Sequence, residues 1–430
     1  MTAERYDLAI IGGGLTGMTA ARRARQLGLR TLLTAATPGS LPYTSGAMDL
    51  LAVYPTETKH YRKNPWEALS ELVECEPEHP YGKVGLAGVQ RGWEELAAHL
   101  EAGPLAYHRG RQENLLLVTS AGTLKPTHLV PHTMKANVQA WASKQPTLIL
   151  GFERLVDFSP EHVVESLRER WPGLRAARID AASLLQDDRR IRIAELAAAF
   201  ERETFRQRFA DKVRPLLGGA RYLGLPAVLG FDRAATVCLE LEQLLGVGVF
   251  EIPMLSPSLP GMRLADQLRA ELLQDGLLLL QGRSVRLERG VDGAVSAVVW
   301  QGSSVERRFE ADHVILATGR FFGGGLVATR RGVEEPLLGL ALEAPASRDD
   351  WHMRSFLGAP GHPINRVGLR TDDWLRPVDG AGAPICPNLL AAGAILGGHD
   401  WVREKSGAGV SVATGYAAAE RVAAMRGGRS

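Results

Sequence analysis

Residues 6–33 read YDLAIIGGGLTGMTAARRARQLGLRTLL, and this stretch decides the fold class. An apolar run over residues 6–11 ends in glycines, a helical pattern follows from Met18 to Leu27, and a second apolar run starts at Thr31. A strand, a helix closed by a glycine and another strand, in this order, predict a β-α-β unit. The sequence therefore predicts a Rossmann-type α/β core.

The glycines between the first strand and the first helix form a G-x-G-x-x-G pattern, made of Gly12, Gly13, Gly14, Leu15, Thr16 and Gly17. In this pattern the first glycine permits a tight turn, the second lets a phosphate approach the backbone, and the third lets the helix pack closely on the strand. The start of the helix offers free N–H groups and a partial positive charge to an anion. We expect these residues to hold a nucleotide phosphate in a Rossmann-type FAD/NAD(P)-binding fold.

The second predicted strand ends without an acidic residue. Dinucleotide sites usually place Asp or Glu about 20 residues after the glycines, to hold the adenosine ribose. Thr34 and Ala35 occupy that place here, no acidic residue lies between Asp7 and Asp49, and no arginine stands at the strand end. The pattern favours a mononucleotide such as FMN, or FAD held by other contacts, over a nicotinamide cofactor.

Three later segments predict further contacts to a flavin. An apolar strand runs into A-T-G at residues 317–319, a pattern typical of flavoproteins with two dinucleotide-binding folds. A glycine-rich block over residues 393–410 leads into the last helix, whose N-terminus is expected to stabilise the anionic reduced ring. A loop of small residues after Tyr43 is expected to pass over that ring. The predicted contacts in these segments are Thr44, Ser45, Gly46, Thr318, Gly319, Gly393, Gly397, Gly398, Ser406, Gly407, Gly409 and Val410.

The composition argues against several partners. Lys plus Arg number 50 against 48 Asp plus Glu, and aromatic residues make up 6%, which argues against nucleic acid. Cys75, Cys238 and Cys386 are far apart, so no disulfide framework and no iron–sulfur cluster held by this chain alone is expected. His128 and His132 have Pro131 between them, which argues against a metal site on a helix.

The sequence also predicts where in the cell the protein is found. The chain starts MTAERYDLAIIGGG, a charged start that runs into a strand and does not read as a signal peptide. No apolar run reaches the length that spans a bilayer. Scattered thiols fit a reducing compartment. We therefore expect a cytoplasmic protein that meets a membrane only at its surface or through a partner.

Changes in the spacing of apolar and charged residues along the chain predict three parts. Residues 1–55 and 251–430 form the two halves of the flavin-binding core, and residues 56–250 form an inserted α+β cap domain that binds substrate or a partner. Within the insertion, apolar residues at helical spacing predict one long amphipathic helix over residues 193–213. The surrounding region, residues 189–214, is rich in arginine and lysine. We expect a solvated face there, with docking on a subunit or an anionic membrane as the alternative.

The motifs together resemble the B subunits of anaerobic glycerol-3-phosphate dehydrogenase, nearly from end to end. The resemblance lies in IIGGGLTG from residue 10, TSGAMDLL from residue 44, GTLKPT from residue 122, EIP through PS to GMRL over residues 251–264, ATGRFFGGGL from residue 317 and LLAAGAILGGHDWVREKSGAGVSVAT from residue 389. One departure is Ala394, where related fumarate-reductase-type flavoproteins carry Glu.

The resemblance implies an FMN-dependent subunit, peripheral on the cytoplasmic face of the membrane. Its partners would be an FAD-bearing A subunit and an iron–sulfur C subunit. Together these oxidise glycerol 3-phosphate to dihydroxyacetone phosphate and reduce a membrane quinone in anaerobic respiration. The alternative is a stand-alone flavin-dependent dehydrogenase or oxidase with its own small-molecule substrate, and a third hypothesis is a non-enzymatic flavin-binding assembly subunit.

Two side chains are candidates for catalysis. His399 and Arg403 lie between the last glycine turn and the last helix, at the expected open edge of the flavin. There they could bind an anionic substrate or assist proton transfer. The alternative is a solvated turn whose charges face a partner.

Overall fold

The computed structural model describes residues 4–180, 185 and 192–427. The chain forms two compact units. The first consists of Met1–Leu41, Asp49–Leu96 and Gln267–Ser430, and the second of Pro42–Met48 and Ala97–Asp266. Among the described residues, no helix combines the length and the apolar character that a membrane crossing requires.

The strands, in chain order, are β1 (Glu4–Ile11), β2 (Thr31–Ala35), β3 (His108–Arg109), β4 (Leu115–Val118), β5 (Leu124–Thr127), β6 (Leu129–Val130), β7 (Thr147–Phe152), β8 (Leu174–Ile179), β9 (Tyr222–Pro226), β10 (Gly248–Ile252), β11 (Leu278–Gln281), β12 (Ser284–Arg289), β13 (Val295–Gln301), β14 (Glu306–Leu316), β15 (Val327–Ala328), β16 (Val333–Glu334), β17 (Leu342–Glu343), β18 (Gly368–Leu369) and β19 (Leu389–Ala391).

The α-helices are α1 (Leu15–Gln26), α2 (Pro65–Cys75), α3 (Pro80–Val84), α4 (Leu86–Ala102), α5 (His132–Ser143), α6 (Pro160–Leu167), α7 (Ile193–Phe200), α8 (Glu203–Val213), α9 (Ala234–Leu245), α10 (Leu259–Gln274), α11 (Trp401–Glu404) and α12 (Gly407–Gly427). Short 3₁₀ helices cover Leu41–Tyr43, Arg214–Leu216, Arg348–Asp350, Pro363–Arg366 and Gly393–Ile395.

The first unit is built on a seven-stranded sheet in the order β11-β2-β1-β14-β13-β12, with β19 paired to the end of β14. The strands β11, β2, β1, β14 and β19 pair in parallel. The strands β12, β13 and β14 pair antiparallel, and the apolar stretch over residues 285–300 with Gly290 and Gly293 in it indicates the β12–β13 hairpin from sequence alone. The central strands are continuous apolar runs because parallel strands are covered on both faces. The predicted Rossmann-type α/β fold is confirmed.

The second unit contains a four-stranded parallel sheet in the order β10-β9-β7-β8. Its core is aromatic, with fully buried rings at Phe152, Phe200, Phe209 and Phe250. Three of these pack ring against ring, and the centroids of Phe200 and Phe209 are 5.0 Å apart. Each such side chain contributes roughly 1.5–3 kcal/mol through burial.

The boundaries of the two units differ from the predicted ones at 55/56 and 250/251. Residues 49–96 belong to the first unit and residues 251–266 to the second. The charged helices α2 to α4 were expected in the insertion, but they pack in the first unit. Tyr81, for example, donates its hydroxyl to the carbonyl of Leu50, and a side chain at Gly92 would press on Tyr416 of α12. The assignment of the second unit as a substrate or partner domain stays a prediction.

The single long helix predicted over residues 193–213 is wrong. The structure has two helices, α7 and α8, which break at Glu201 and Arg202. Arg202 has extended backbone, with φ −88° and ψ 125°. The Glu201 carboxylate accepts the backbone N–H groups of residues 231–233 at 2.8 to 3.2 Å. Tertiary hydrogen bonds of this kind leave no trace in the local apolar spacing.

The basic region around α8 is partly internal rather than solvated. Arg206 is 2% exposed, forms an ion pair with Glu240 and donates to the carbonyl of Phe200 at 2.7 Å. Arg214 pairs with Asp211 at 3.0 Å. The part of this region over residues 189–191 lies outside the described residues.

A buried ion pair in the second unit supports a stability prediction. Arg263 donates to both carboxylate oxygens of Glu251 at 2.7 and 3.0 Å, and the N–H of Leu229 donates to the same carboxylate at 2.7 Å. Glu251 has no exposed side-chain surface. Because the variant Glu251→Gln leaves the arginine charge buried without its counter-ion, we expect it to lower the free energy of unfolding by about 3–5 kcal/mol.

The measurement is urea unfolding followed by circular dichroism. Glu161→Gln is the matched control, since Glu161 accepts the same two-pronged donation from Arg178, at 2.8 and 2.7 Å, with a side chain 55% exposed. An exposed pair of this kind contributes about 0–1 kcal/mol. Similar losses in both variants would contradict the assigned role of the buried pair.

Candidate functional site

Three of the predicted segments meet at one edge of the sheet in the first unit. The strands β1, β14 and β19 are parallel neighbours, with Ile11 opposite Leu316 and Leu316 opposite Ala391. The segments that follow these strands are the glycine turn at residues 12–17, the A-T-G segment and the glycine-rich block. Because carboxyl ends of parallel strands lie at the same edge, this is where an open α/β sheet binds its ligand.

The glycine turn has the close backbone approaches that the pattern requires. Gly12 has φ +127°, and a Cβ there would overlap the carbonyl oxygen of Ala317. A Cβ at Gly17 would overlap the carbonyl oxygen of Gly12. Side chains at these two positions would therefore break the turn itself.

Gly14 differs from the other two, because it has room for a Cβ atom without overlap. Its backbone is extended, with φ −81° and ψ −174°, a conformation that any residue adopts. The nearest atom to a Cβ built there is the Cα of Gly39, at 3.8 Å. No side chain caps α1, and its first turn holds no acidic residue. Uncapped N–H groups at the start of a helix, beside a glycine that leaves room, fit a phosphate group.

The A-T-G segment lies directly beside the glycine turn. The N–H of Ala317 donates to the carbonyl of Ile11 at 2.8 Å. The hydroxyl oxygen of Thr318 is buried and has no hydrogen-bond partner within the described part of the chain. An orphaned hydroxyl at this edge fits a ligand that supplies the missing partner.

The glycine-rich block uses most of its amides within the protein. The N–H of Gly393 donates to the hydroxyl of Thr414 at 2.8 Å, and those of Gly397 and Gly398 each donate at 3.0 Å to the carbonyls of Leu369 and Arg366. A Cβ at Gly393 would overlap the side chain of Thr16 on α1, so this glycine joins the third segment to the first. These glycines shape the site through close backbone packing.

The start of α12 keeps donors available. The amide of Gly409 is taken by the carbonyl of Asp49 at 2.9 Å, and that of Val410 by Ser406 at 2.8 Å. The hydroxyl of Ser406 donates to Glu404 at 2.7 Å. Over the described residues, the amides of Gly407 and Ala408 are therefore the unpaired donors of this first turn.

The predicted loop contacts Thr44, Ser45 and Gly46 lie in the second unit. The hydroxyl of Tyr107 donates to the carbonyl of Gly46 at 2.6 Å, and Gly46 has φ +75°. This loop is therefore held within its own unit, and its contact with a flavin stays a prediction.

The two catalytic candidates are placed differently. His399 is 1% exposed, and burial together with the charge of Arg320 holds the pKa of its imidazole well below its usual range. Arg403 donates its guanidinium to the carbonyls of Thr56, Gly358 and Ala359, at 3.0 and 2.9 Å for the first two. Arg403 therefore anchors backbone, and neither residue stands as an exposed acid or base.

A buried pair near His399 was not predicted from sequence. The Nε2 atom of His79 lies 3.3 Å from the carboxylate of Glu404, and both side chains are almost fully buried. Burial by itself raises the pKa of Glu404, but His79 and the hydroxyl of Ser406 oppose it, and that pKa is lowered to about 2. No local signal could reveal this pair, since its members are 325 positions apart.

A pocket lies at the other side of the glycine turn, where β2 and β11 end. It is lined by Gly13, Met18, Leu33, Ala35, Thr37, Arg269, Leu272, Leu279 and Gln281. None of these described lining residues is acidic, which agrees with the sequence at the end of β2. Arg269 reaches the pocket from α10, a contribution that the local sequence did not indicate.

The chain matches the family model described as "FAD binding domain" over residues 7–410. A flavin-binding domain therefore covers most of the chain, and the site above lies within it.

Relatives of matching length carry one name. The chain is 33% identical, over 97% of each chain, to the protein of Halobacterium salinarum that is named as the probable B subunit of anaerobic glycerol-3-phosphate dehydrogenase. It is 33% identical to the B subunit of the same enzyme from Yersinia pseudotuberculosis, over 97% of this chain and 98% of that one. The B subunit from Vibrio cholerae is 29% identical over 97% of each chain. The resemblance seen in the motifs is confirmed, and the chain belongs to the family of B subunits of anaerobic glycerol-3-phosphate dehydrogenase, within the FAD-binding-domain flavoproteins.

Proposed function

We propose that this chain is the flavin-dependent electron-transfer subunit of a glycerol-3-phosphate:quinone oxidoreductase, which converts glycerol 3-phosphate to dihydroxyacetone phosphate. The observation that carries the proposal is the glycine turn at Gly14, which leaves room for an added atom in front of uncapped helix amides, at the edge where three predicted cofactor segments meet. Similarity along the whole chain to proteins named as B subunits of such a dehydrogenase supports the substrate assignment.

The cofactor we propose is FMN. The glycine turn and the amides at the start of α1 would hold its phosphate, while Thr318 and the amides of Gly407 and Ala408 would face its polar ring or ribityl atoms. Buried Ala35 ends β2, and the pocket beside it has no acidic lining residue to hold an adenosine ribose. When bound, the flavin supplies the exchange of electrons, and the protein supplies position and charge.

The proposed partners are an FAD-bearing A subunit and an iron–sulfur C subunit, which would pass electrons to a membrane quinone. The proposed location is the cytoplasmic face of the membrane, as a peripheral protein. The names of the relatives, each as one lettered subunit, support an assembly. Three scattered cysteines support both a reducing compartment and a separate cluster-bearing subunit.

Acid release of the cofactor from the purified chain tests this proposal. We expect a yellow protein that releases FMN in about equal amount to the protein, because no acidic side chain ends β2 or lines the described pocket beside it, where an adenosine ribose would be held. Chromatography against FMN and FAD standards gives the answer. Equal release of FAD would contradict the mononucleotide assignment, and a colourless protein that takes up neither flavin would contradict the function itself.

A further inference from the structure

Arg320 joins two of the segments that surround the proposed flavin site. It directly follows Gly319, and its guanidinium donates to the carbonyls of Ala394 at 2.7 Å, Leu396 at 2.9 Å and His399 at 3.0 Å. Burial lowers the pKa of Arg320 to about 10, so the group remains a cation near neutral pH. The A-T-G segment and the glycine-rich block are thereby held together by one partly buried cation.

The contacts of His399 indicate which of its ring nitrogens carries hydrogen. Its Nδ1 lies 3.2 Å from Nη2 of Arg320, closer than its 3.4 Å to the carbonyl of Gly397. The Nη2 atom has two hydrogens, which also serve the carbonyls of Leu396 and His399, and an arginine can only donate. A lone pair on Nδ1 therefore fits this contact better than a hydrogen does. Since the ring is also held neutral, the remaining hydrogen is on Nε2. His399 is therefore a neutral imidazole with an N–H donor at Nε2.

This Nε2 donor has no acceptor within the described part of the protein, although His399 is 1% exposed. The neighbouring carboxylate of Glu404 is already occupied, because its oxygens accept from His79, Ser406 and the backbone of Asp400. The ring of His79 lies edge-on, with its centroid 5.8 Å away. A buried donor without an acceptor is destabilising, and a ligand with a suitable acceptor would remove that cost.

We propose that Nε2–H of His399 donates a hydrogen bond to a carbonyl or anionic oxygen of the ligand bound in the first unit. The proposal rests on the proposed function and concerns this chain's own donor. Two sources share this chemistry: the carbonyl oxygens of the flavin ring and the oxygens of a small anionic substrate beside it. His399 acts as a donor and not as a base, and Arg320 is a positioning residue that fixes its orientation.

The test compares His399→Leu, which removes the donor, with His399→Gln, which keeps an acceptor and a donor amide. Binding of FMN to the full-length apoprotein is measured by flavin fluorescence. If the flavin is the source, the Leu variant has a Kd about tenfold higher, while the Gln variant stays within about threefold. If the substrate is the source, FMN binding is unchanged, and KM for glycerol 3-phosphate in the co-expressed complex rises about tenfold in the Leu variant alone.

Two controls separate a donor effect from damage to the fold. His60→Leu alters an exposed histidine in the same unit and is expected to change neither quantity. Arg320→Lys keeps a positive charge but loses the forked donation, and is expected to give part of the effect of the Leu variant. Thermal melting of each variant reports folding.

The inference is overturned if the Leu variant has the same Kd for FMN and the same KM for glycerol 3-phosphate as the wild type. It is also overturned if the Gln variant is as impaired as the Leu variant. Failure of the wild-type chain to bind any flavin would instead reject the proposed function, so the two failures are distinguishable.

Discussion

Gly14→Val is expected to abolish flavin binding while the protein stays folded. The backbone of Gly14 is extended, and the nearest atom to a Cβ there is 3.8 Å away, so the apoprotein accommodates the side chain. The added methyl groups would fill the space in front of the α1 amides, where a phosphate must approach closely. We expect the affinity for flavin to fall more than about 100-fold, equivalent to ~2.7 kcal/mol.

The measurement combines flavin content after purification, titration with FMN and thermal melting. Gly380→Val is the matched control, because Gly380 is exposed, lies in the same unit and has no atom within 4 Å of an added Cβ. The control should keep full flavin content. Gly12→Val, by contrast, should lose both flavin and stability, since its side chain would collide with Ala317. Normal flavin content in the Gly14 variant would show that the phosphate binds elsewhere.

The second large effect that we expect is a low rate of dye reduction when the chain is purified without its proposed partners. Mixed with glycerol 3-phosphate and a dye acceptor, the isolated chain should reduce the dye at less than about one hundredth of the rate of the co-expressed complex. This ratio corresponds to ~2.7 kcal/mol in activation free energy. The reason lies in the side chains near the site. His399 is neutral with its lone pair turned to Arg320, and Arg403 binds backbone carbonyls. Neither offers a base for the proton of a substrate hydroxyl.

The electron path gives a second reason for that expectation. An iron–sulfur cluster of the usual kind needs four protein ligands, most often cysteines, and this chain has three cysteines in all. Cys238 is buried in the second unit, whereas Cys75 is exposed in the first. The assay should be run with the chain loaded with FMN, so that cofactor loss is not mistaken for a missing subunit. Rapid dye reduction by the loaded chain alone would favour the stand-alone dehydrogenase.

The sequence alone was sufficient to predict those structural features that are built by residues close together in the chain. The glycine turn, the first strand and helix, and the hairpin at residues 284–301 all follow from apolar spacing and glycine positions within about thirty residues. The end of β2 at Ala35 was also readable, because a missing carboxylate is a property of one position. Motifs of several residues, such as TSGAMDLL at residue 44, identified the family without any geometry.

Only the tertiary structure decided how distant parts of the chain meet. It paired His79 with Glu404 across 325 positions, brought Arg320 onto His399, and placed residues 49–96 in the first unit. It also broke the predicted long helix through hydrogen bonds that the Glu201 carboxylate accepts from a loop thirty residues away. Spacing patterns report which face of an element is apolar, but burial, hydrogen-bond partners and proton positions depend on the other elements that pack against it.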